Sequence, residues 1–233
     1  MPPNRDKRIL YGRRRGKPLR KGQQALVEQD LPKLSVPLFE KALDLPALFG
    51  PGLDKYWLEV GFGSGEHLAW QAHANPDTGI LGCEPFINGV ATLLGKLKSD
   101  QSTNVRVHPD AAEPLIEKLP ENALDRCFIL FADPWPKSNH NKRRFVSTAN
   151  IKALARVLRA GAELRIATDH VDYGAWILWH MLRSNSFDWI AETPEDWRVR
   201  GTDWPPTRYE QKAIQKGLKP VYYRFLRNDQ PWQ

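Results

Sequence analysis

From Tyr56 onward, short uninterrupted apolar runs alternate with longer stretches in which apolar residues recur three and four positions apart. The first pattern belongs to strands buried on both faces, the second to helices that bury one stripe. The runs predict strands at Tyr56–Val60, Gly79–Cys83 and Asn104–His108, a fourth through Phe128–Phe131 and a fifth at Ala162–Ala167. The helical stretches between them are Glu66–Ala74, one carrying Ile87, Val90, Leu93, Leu94 and Leu97, one from about Phe145 to Arg159, and one with Tyr173, Trp176, Ile177, Met181 and Leu182. Strands alternating with helices predict an α/β fold: a doubly wound, mostly parallel sheet covered on both faces. Two further strands, Phe187–Ala191 and Val221–Arg227, fall outside that rhythm. A polar and aromatic insertion, 192–218, separates them.

Before Tyr56 the pattern is irregular. Residues 31–53 mix small apolar groups with Pro32, Pro37, Pro46, Gly50, Pro51 and Gly52, an irregular segment packed on the domain. Charge sharpens the picture of what precedes it. The chain carries a net +7, yet residues 1–21 hold nine Lys and Arg against the single acid Asp6, so the remainder is close to neutral. The reading is a flexible basic arm over 1–35 and a single domain over 36–233. An arm of that charge contacts a polyanion, although a targeting signal has the same composition. The 233 residues are 41% hydrophobic with nine tryptophans, enough for a substantial core. Cys83 and Cys127 each sit in an apolar run without a CxxC or Cys/His cluster. They read as reduced, buried thiols of a cytoplasmic protein with no metal site. No apolar run approaches 18 residues, so no membrane contact is expected.

Candidate chemistry gathers where strands end. The five predicted parallel strands finish at Glu59, Glu84, Asp110, Asp133 and Asp169. In an open parallel sheet those exits are where ligands bind. After the first strand the turn Gly61-Phe62-Gly63-Ser64-Gly65 would let the backbone pass close to a ligand, but a dinucleotide fingerprint requires Gly at 66 and the chain has Glu66. A carboxylate ahead of the turn favours an ammonium over a pyrophosphate, which suits the amino acid end of S-adenosylmethionine. Glu84 lies where an acid accepts from ribose hydroxyls, and Asp110 is placed to accept from an adenine amine. The fourth strand runs into DPWPKSNHNKRRF (133–145), a carboxylate in a proline-stiffened turn followed by a basic segment. Pro134 and Pro136 are expected to hold Asp133 and Trp135 extended.

The succession LEVGFGSG (58–65), GCEPF (82–86), DPWPKSNHNKRRF (133–145), ATDH (167–170) and TRYEQKAIQKG (207–217) resembles the bacterial tRNA (guanine-N7)-methyltransferase family from about Tyr56 to the end of the chain. The resemblance implies a class I, Rossmann-like methyltransferase sheet with its seventh strand antiparallel beside the sixth. It implies methyl transfer from S-adenosylmethionine to N7 of guanosine 46 in the tRNA variable loop. By motif position, Glu59, Glu84, Asp110 and Asp133, with Gly61, Gly63 and Gly65, resemble the family's cofactor contacts, and Asp133 also its catalytic residue. Lys137, Asp169, Thr207, Arg208, Tyr209 and Glu210 resemble substrate contacts, with Asp169 and Glu210 suited to the guanine donors and Lys137 to its O6. Asn139, His140, Asn141, Lys142, Arg143 and Arg144 resemble the RNA-contacting segment. The expected partner is tRNA, and the chain is a monomer or homodimer. Two alternatives stand beside this reading: a methyltransferase acting on an exocyclic amine, whose [DN]PP[YFW] motif DPWP partly matches, and an RNA-binding module without catalysis.

Overall fold

The computed structural model describes residues 12–38 and 41–231. Its centre is a seven-stranded sheet in the order β3-β2-β1-β4-β5-β7-β6. The strands are β1 (Lys55–Val60), β2 (Thr78–Cys83), β3 (Val105–His108), β4 (Leu124–Leu130), β5 (Leu158–Thr168), β6 (Phe187–Trp189) and β7 (Val221–Arg227). The first five are parallel to one another; β7 runs antiparallel between β5 and β6. The chain goes outward through β1, β2 and β3, then returns to the other side of β1 with β4. The topological switch therefore falls between β1 and β4, at Val60 opposite Ile129.

Each face buries its own core. On one face Leu58, Val60, Cys127, Ile129, Leu164 and Ile166 pack under α6 (Ala112–Lys118), α7 (Thr148–Val157) and α8 (Val171–Met181). On the other, Trp57, Ile80, Val107 and Phe128 pack under α4 (Glu66–Ala74) and α5 (Ile87–Asp100). These two helices do not reach β5 and β7. There the buried Trp204, from the insertion, packs with Ala167 and Tyr222 and closes the face. Two short helices bracket it, α9 (Glu195–Arg198) and α10 (Arg208–Gln215).

The N-terminal stretch differs from the expected flexible arm. Residues 1–11, with Arg5, Lys7 and Arg8, lie outside the described residues. The rest folds: α1 (Lys21–Gln29) lays Leu26 and Val27 against the α5 side of the core, and α2 (Leu31–Leu34) leads to Ser35, which bridges Val107 of the edge strand β3. Residues 12–17 run across the start of α5. Ile87 N donates to the Arg14 carbonyl (3.1 Å), Gly16 N donates to Asn88 Oδ1 (2.9 Å), and Asn88 Nδ2 donates to the Lys17 carbonyl (2.7 Å). A further helix, α3 (Leu45–Phe49), interrupts the segment expected to be irregular.

Candidate active site

The five strand-exit acids stand at the carboxyl ends of five adjacent parallel strands, in the spatial order Asp110, Glu84, Glu59, Asp133, Asp169. At the switch, Gly61, Gly63 and Gly65 have φ of 71°, 57° and 72°, left-handed values that a side chain resists. Gly65 is the N-cap of α4. The turn is also held from outside, because a Cβ on Gly89 of α5 would stand 2.1 Å from the Gly63 carbonyl oxygen. Glu84 ties the same two pieces together: Oε2 accepts from Gly63 N (2.7 Å) and Oε1 from Phe86 N (2.9 Å). Burial raises the Glu84 carboxyl above the ordinary carboxylate range. The two amide bonds oppose that rise, and the Asp133 and Glu59 charges add to it. Glu59 and Asp133 stand at the exits of β1 and β4, one and two strands from β2 in the sheet.

Glu59 is buried and receives a hydrogen bond from His67 Nδ1 at 2.8 Å. His67 was not singled out in the sequence, where it is one more residue of a helix. Asp110 accepts from Ala111 N (2.8 Å) and pairs with Arg14 (2.9 Å), so the N-terminal segment reaches the far end of the row. Asp133 is exposed and makes no hydrogen bond or ion pair among the described residues. It lies between two left-handed aromatic residues, Phe131 at φ 54° and Trp135 at φ 42°. For Trp135 this overturns the extended conformation expected before Pro136. Positive φ at a bulky residue costs on the order of 1 kcal/mol or more and persists where the surroundings hold it, here with the Arg143 guanidinium 5.1 Å over the Trp135 ring and His140 edge-on at 5.9 Å. Asp169, at the β5 exit, is half-buried.

The downstream residues divide into surface and interior. Lys137, Asn139 and Lys142 are exposed, and His140, Asn141 and Arg143 half-buried, along a 3-10 segment Ser138–Arg143. Partial burial lowers the His140 pKa, with Arg143, Lys137 and Lys142 adding to the effect. Arg144 corrects the sequence reading. Its side chain is fully buried, donates to the Pro134 carbonyl (2.8 Å), pairs with Asp172 and lies over the Tyr173 and Trp176 rings at 5.3 and 5.0 Å. It is a brace under the Asp133 turn, inaccessible to a phosphate.

Thr207 and Glu210 are corrected as well. They form a capping box at the start of α10, with Thr207 Oγ1 accepting from Glu210 N (3.1 Å) and Glu210 Oε2 from Thr207 N (3.2 Å). Glu210 Oε1 accepts from Tyr222 OH (2.7 Å) and Arg200 Nε (3.0 Å), and both residues of the box are buried. Both side chains are engaged in interior bonds that hold the start of α10. Arg208 and Tyr209, also in the TRYEQ run, are exposed. Tyr209 turns to the glycine turn, its Cε2 3.0 Å from where a Gly63 Cβ would be. Burial raises the Tyr209 pKa, with the Glu84 and Asp133 carboxylates adding to it.

Solved structures of similar shape include an rRNA methylase from Streptococcus thermophilus (TM-score 0.53, 13% identity, 76% of this chain and 89% of that one). The 16S rRNA methyltransferase KamB is another (TM-score 0.55, 15% identity, 81% of this chain and 95% of that one). At such identities the likeness carries the fold alone. A family model described as "Putative methyltransferase" matches residues 54–222. Sheet order, glycine turn and acidic rim thus define a class I methyltransferase. Among curated proteins, the chain is 47% identical over 232 residues to the tRNA (guanine-N(7)-)-methyltransferase of Ruegeria pomeroyi, covering 97% of each. It is 44% identical over 220 residues to that of Zymomonas mobilis, covering 94% of each. The chain belongs to the tRNA (guanine-N(7)-)-methyltransferase family.

Proposed function

We propose that this chain transfers a methyl group from S-adenosylmethionine to N7 of guanosine 46 in the variable loop of tRNA, in the cytoplasm. The observation that carries it is the acidic rim around the glycine turn at the β1/β4 switch. The donors and acceptors there fit the cofactor. Glu59 keeps one carboxylate oxygen for an ammonium after bonding His67, Glu84 stands behind the turn for ribose hydroxyls, and Asp110 lies one strand further out for an adenine amine. Gly61 faces open space, while Gly63 lies under the Tyr209 ring and Gly65 packs on Leu93. Bound there, S-adenosylmethionine supplies an electrophilic methyl on a sulfonium.

Guanine N7 has an in-plane lone pair and no proton to lose, so this chain needs no general base. What its residues must do is hold the purine in line. Asp133 stands at the mouth of the space for that task, and Asp169 and Lys137 are the substrate-side groups left for the guanine edge. Lys137, Asn139, Lys142 and Arg208 are exposed, while His140, Asn141 and Arg143 are half-buried and Tyr209 turns to the glycine turn. Their cations would release counterions from phosphates, making tRNA affinity fall steeply with salt. The test is nucleoside analysis of tRNA incubated with the protein and methyl-labelled cofactor. Label is expected in 7-methylguanosine and lost when guanosine 46 is replaced by adenosine. Label in any other nucleoside, or retained in the replaced tRNA, removes this reading.

A pH dependence follows from Glu84. Its carboxyl is raised in the free protein, while ribose hydroxyls require the ionised form. Cofactor affinity measured by calorimetry should be flat near neutrality. Below the raised pKa it should fall by about tenfold per pH unit, because one proton must leave for each ligand bound. For folding the sign is opposite: a carboxyl raised above its unfolded value favours the native state as pH falls. Glu84→Gln should abolish the affinity slope, and an acid limb of the same slope in the wild type and in Glu84→Gln would contradict the assignment.

A further inference from the structure

A buried polar chain leaves the cofactor side of the site behind the glycine turn and ends in the insertion. Its tautomers follow from valence. Gln71 Oε1 accepts from Asn75 Nδ2 (3.1 Å), so the other terminus of that amide is nitrogen. This nitrogen lies 3.2 Å from His67 Nε2 and 3.2 Å from the Asp203 carbonyl oxygen. An amide nitrogen carries two protons and only donates, so His67 Nε2 must accept. The ring proton is therefore on Nδ1 and is given to Glu59 Oε2. Glu59, His67 and Gln71 are each at most 3% exposed, and the imidazole is enclosed edge-on by Phe128 at 4.6 Å and Trp204 at 5.2 Å.

At its far end this chain holds the insertion in place. The Asp203 carboxylate is gripped by Arg165 through two bonds of 2.8 and 2.7 Å, and Trp204 fills the gap beyond α4. Arg200 bonds both the Trp204 carbonyl and Glu210, so the seating of 203–204 sets the start of α10, whose Tyr209 returns to Gly63. The insertion thus meets the cofactor side at two places, through Gln71 and His67 and through Tyr209.

We propose that His67 is a positioning residue that couples cofactor binding to the docking of the insertion, and through it to tRNA affinity. The inference rests on the reading of Glu59 as the ammonium acceptor given above. An ammonium on the remaining oxygen of Glu59 fixes the carboxylate. The fixed carboxylate orients the imidazole, and the imidazole seats Gln71 and Trp204, because close-packed neighbours pass on small displacements. Cofactor and tRNA therefore each tighten the other, and by linkage the factor is the same in both directions.

The experiment measures binding rather than turnover. With the full chain, the dissociation constant of tRNA is determined with and without saturating S-adenosylhomocysteine, and that of S-adenosylhomocysteine by calorimetry. In the wild type the ligand is expected to tighten tRNA about fivefold or more. In Gln71→Leu that ratio should collapse toward one. His67→Leu, which removes the donor to Glu59, should lose about tenfold or more in S-adenosylhomocysteine affinity. His67→Asn, whose amide nitrogen can occupy the Nδ1 position, should recover most of that loss without restoring the ratio. A wild-type ratio of one, or a wild-type ratio in both Gln71→Leu and His67→Asn, overturns the coupling. Should His67→Leu not fold, the other two variants decide. A wild-type chain that binds no S-adenosylhomocysteine overturns the proposed function itself, and this inference with it.

Discussion

Asp133→Asn is expected to slow methyl transfer by about 100-fold in a single turnover at saturating cofactor and tRNA, with little change in stability. The loss should fall on the chemical step because of where the carboxylate stands. It is exposed, makes no bond among the described residues, and is held between the left-handed Phe131 and Trp135. Removing an exposed, unbonded charge should alter stability by about 0.5 kcal/mol or less. A carboxylate about 4 Å from the charge appearing on the purine would be worth roughly 4 kcal/mol at an effective dielectric near 20. That full figure is not available, because the sulfonium is cationic before the reaction starts and only the difference between ground and transition states lowers the barrier. Positioning is therefore the larger part, and asparagine, with a donor where an acceptor oxygen was, misplaces the base. The corresponding loss in cofactor affinity should stay under about tenfold, since Glu59, Glu84 and Asp110 remain. An unchanged single-turnover rate would remove Asp133 from the reaction.

The rim was legible in the sequence because it depends on two regularities: strands read as continuous apolar runs, and ligands gather at their carboxyl ends. The turn at 61–65 and the helix that begins at Glu66 fell where the glycines predict. Other elements were hidden by residues whose usual meaning was reversed. In α6, Pro114 looks like a helix breaker, but it occupies the third position of the helix, where an N–H has no partner within the helix to lose. In the N-terminal stretch, the charge of Arg13 to Lys21 masks the short apolar stripe of Leu26 and Val27 that docks α1. The site was harder to read than the sheet because a charged residue is assigned to the surface by default. Glu210 had a readable signal, the Thr207-x-x-Glu210 spacing of a capping box, which competes with any substrate contact. His67 and Gln71 carried only a weak one, two polar side chains four apart on the inner face of a helix otherwise packed through Leu68 and Ala72. Nothing in the spacing says that Glu59 and Asp203 lie at the two ends of that pair.

Arg144 gives the second large expectation. Arg144→Ala should destabilise the protein by about 2–3 kcal/mol, and Arg144→Lys by a similar amount, seen as a lowered urea midpoint at unchanged slope. A phosphate-gripping arginine would behave in the opposite way, leaving the midpoint alone and weakening tRNA. The cost arises in the interior. The guanidinium lies over the Tyr173 and Trp176 rings while donating to the Pro134 carbonyl and to Asp172. Alanine leaves a cavity beside two aromatic rings and a carbonyl without its donor, whereas Asp172, two-thirds exposed, recovers water and contributes little to the loss. Lysine keeps the charge but cannot lie flat over the rings while bonding two acceptors, so it buries an ammonium with too few partners. Activity should fall in both variants at temperatures where they are fully folded, because the Pro134 carbonyl is the tether next to Asp133 and its release loosens the turn that aims the carboxylate. Lys142→Ala is the comparison: it should weaken tRNA and reduce the salt slope by about one while leaving the urea midpoint where it is. If Arg144→Ala matched Lys142→Ala in both measurements, the brace would be the wrong description of Arg144 and the whole basic run would face the RNA.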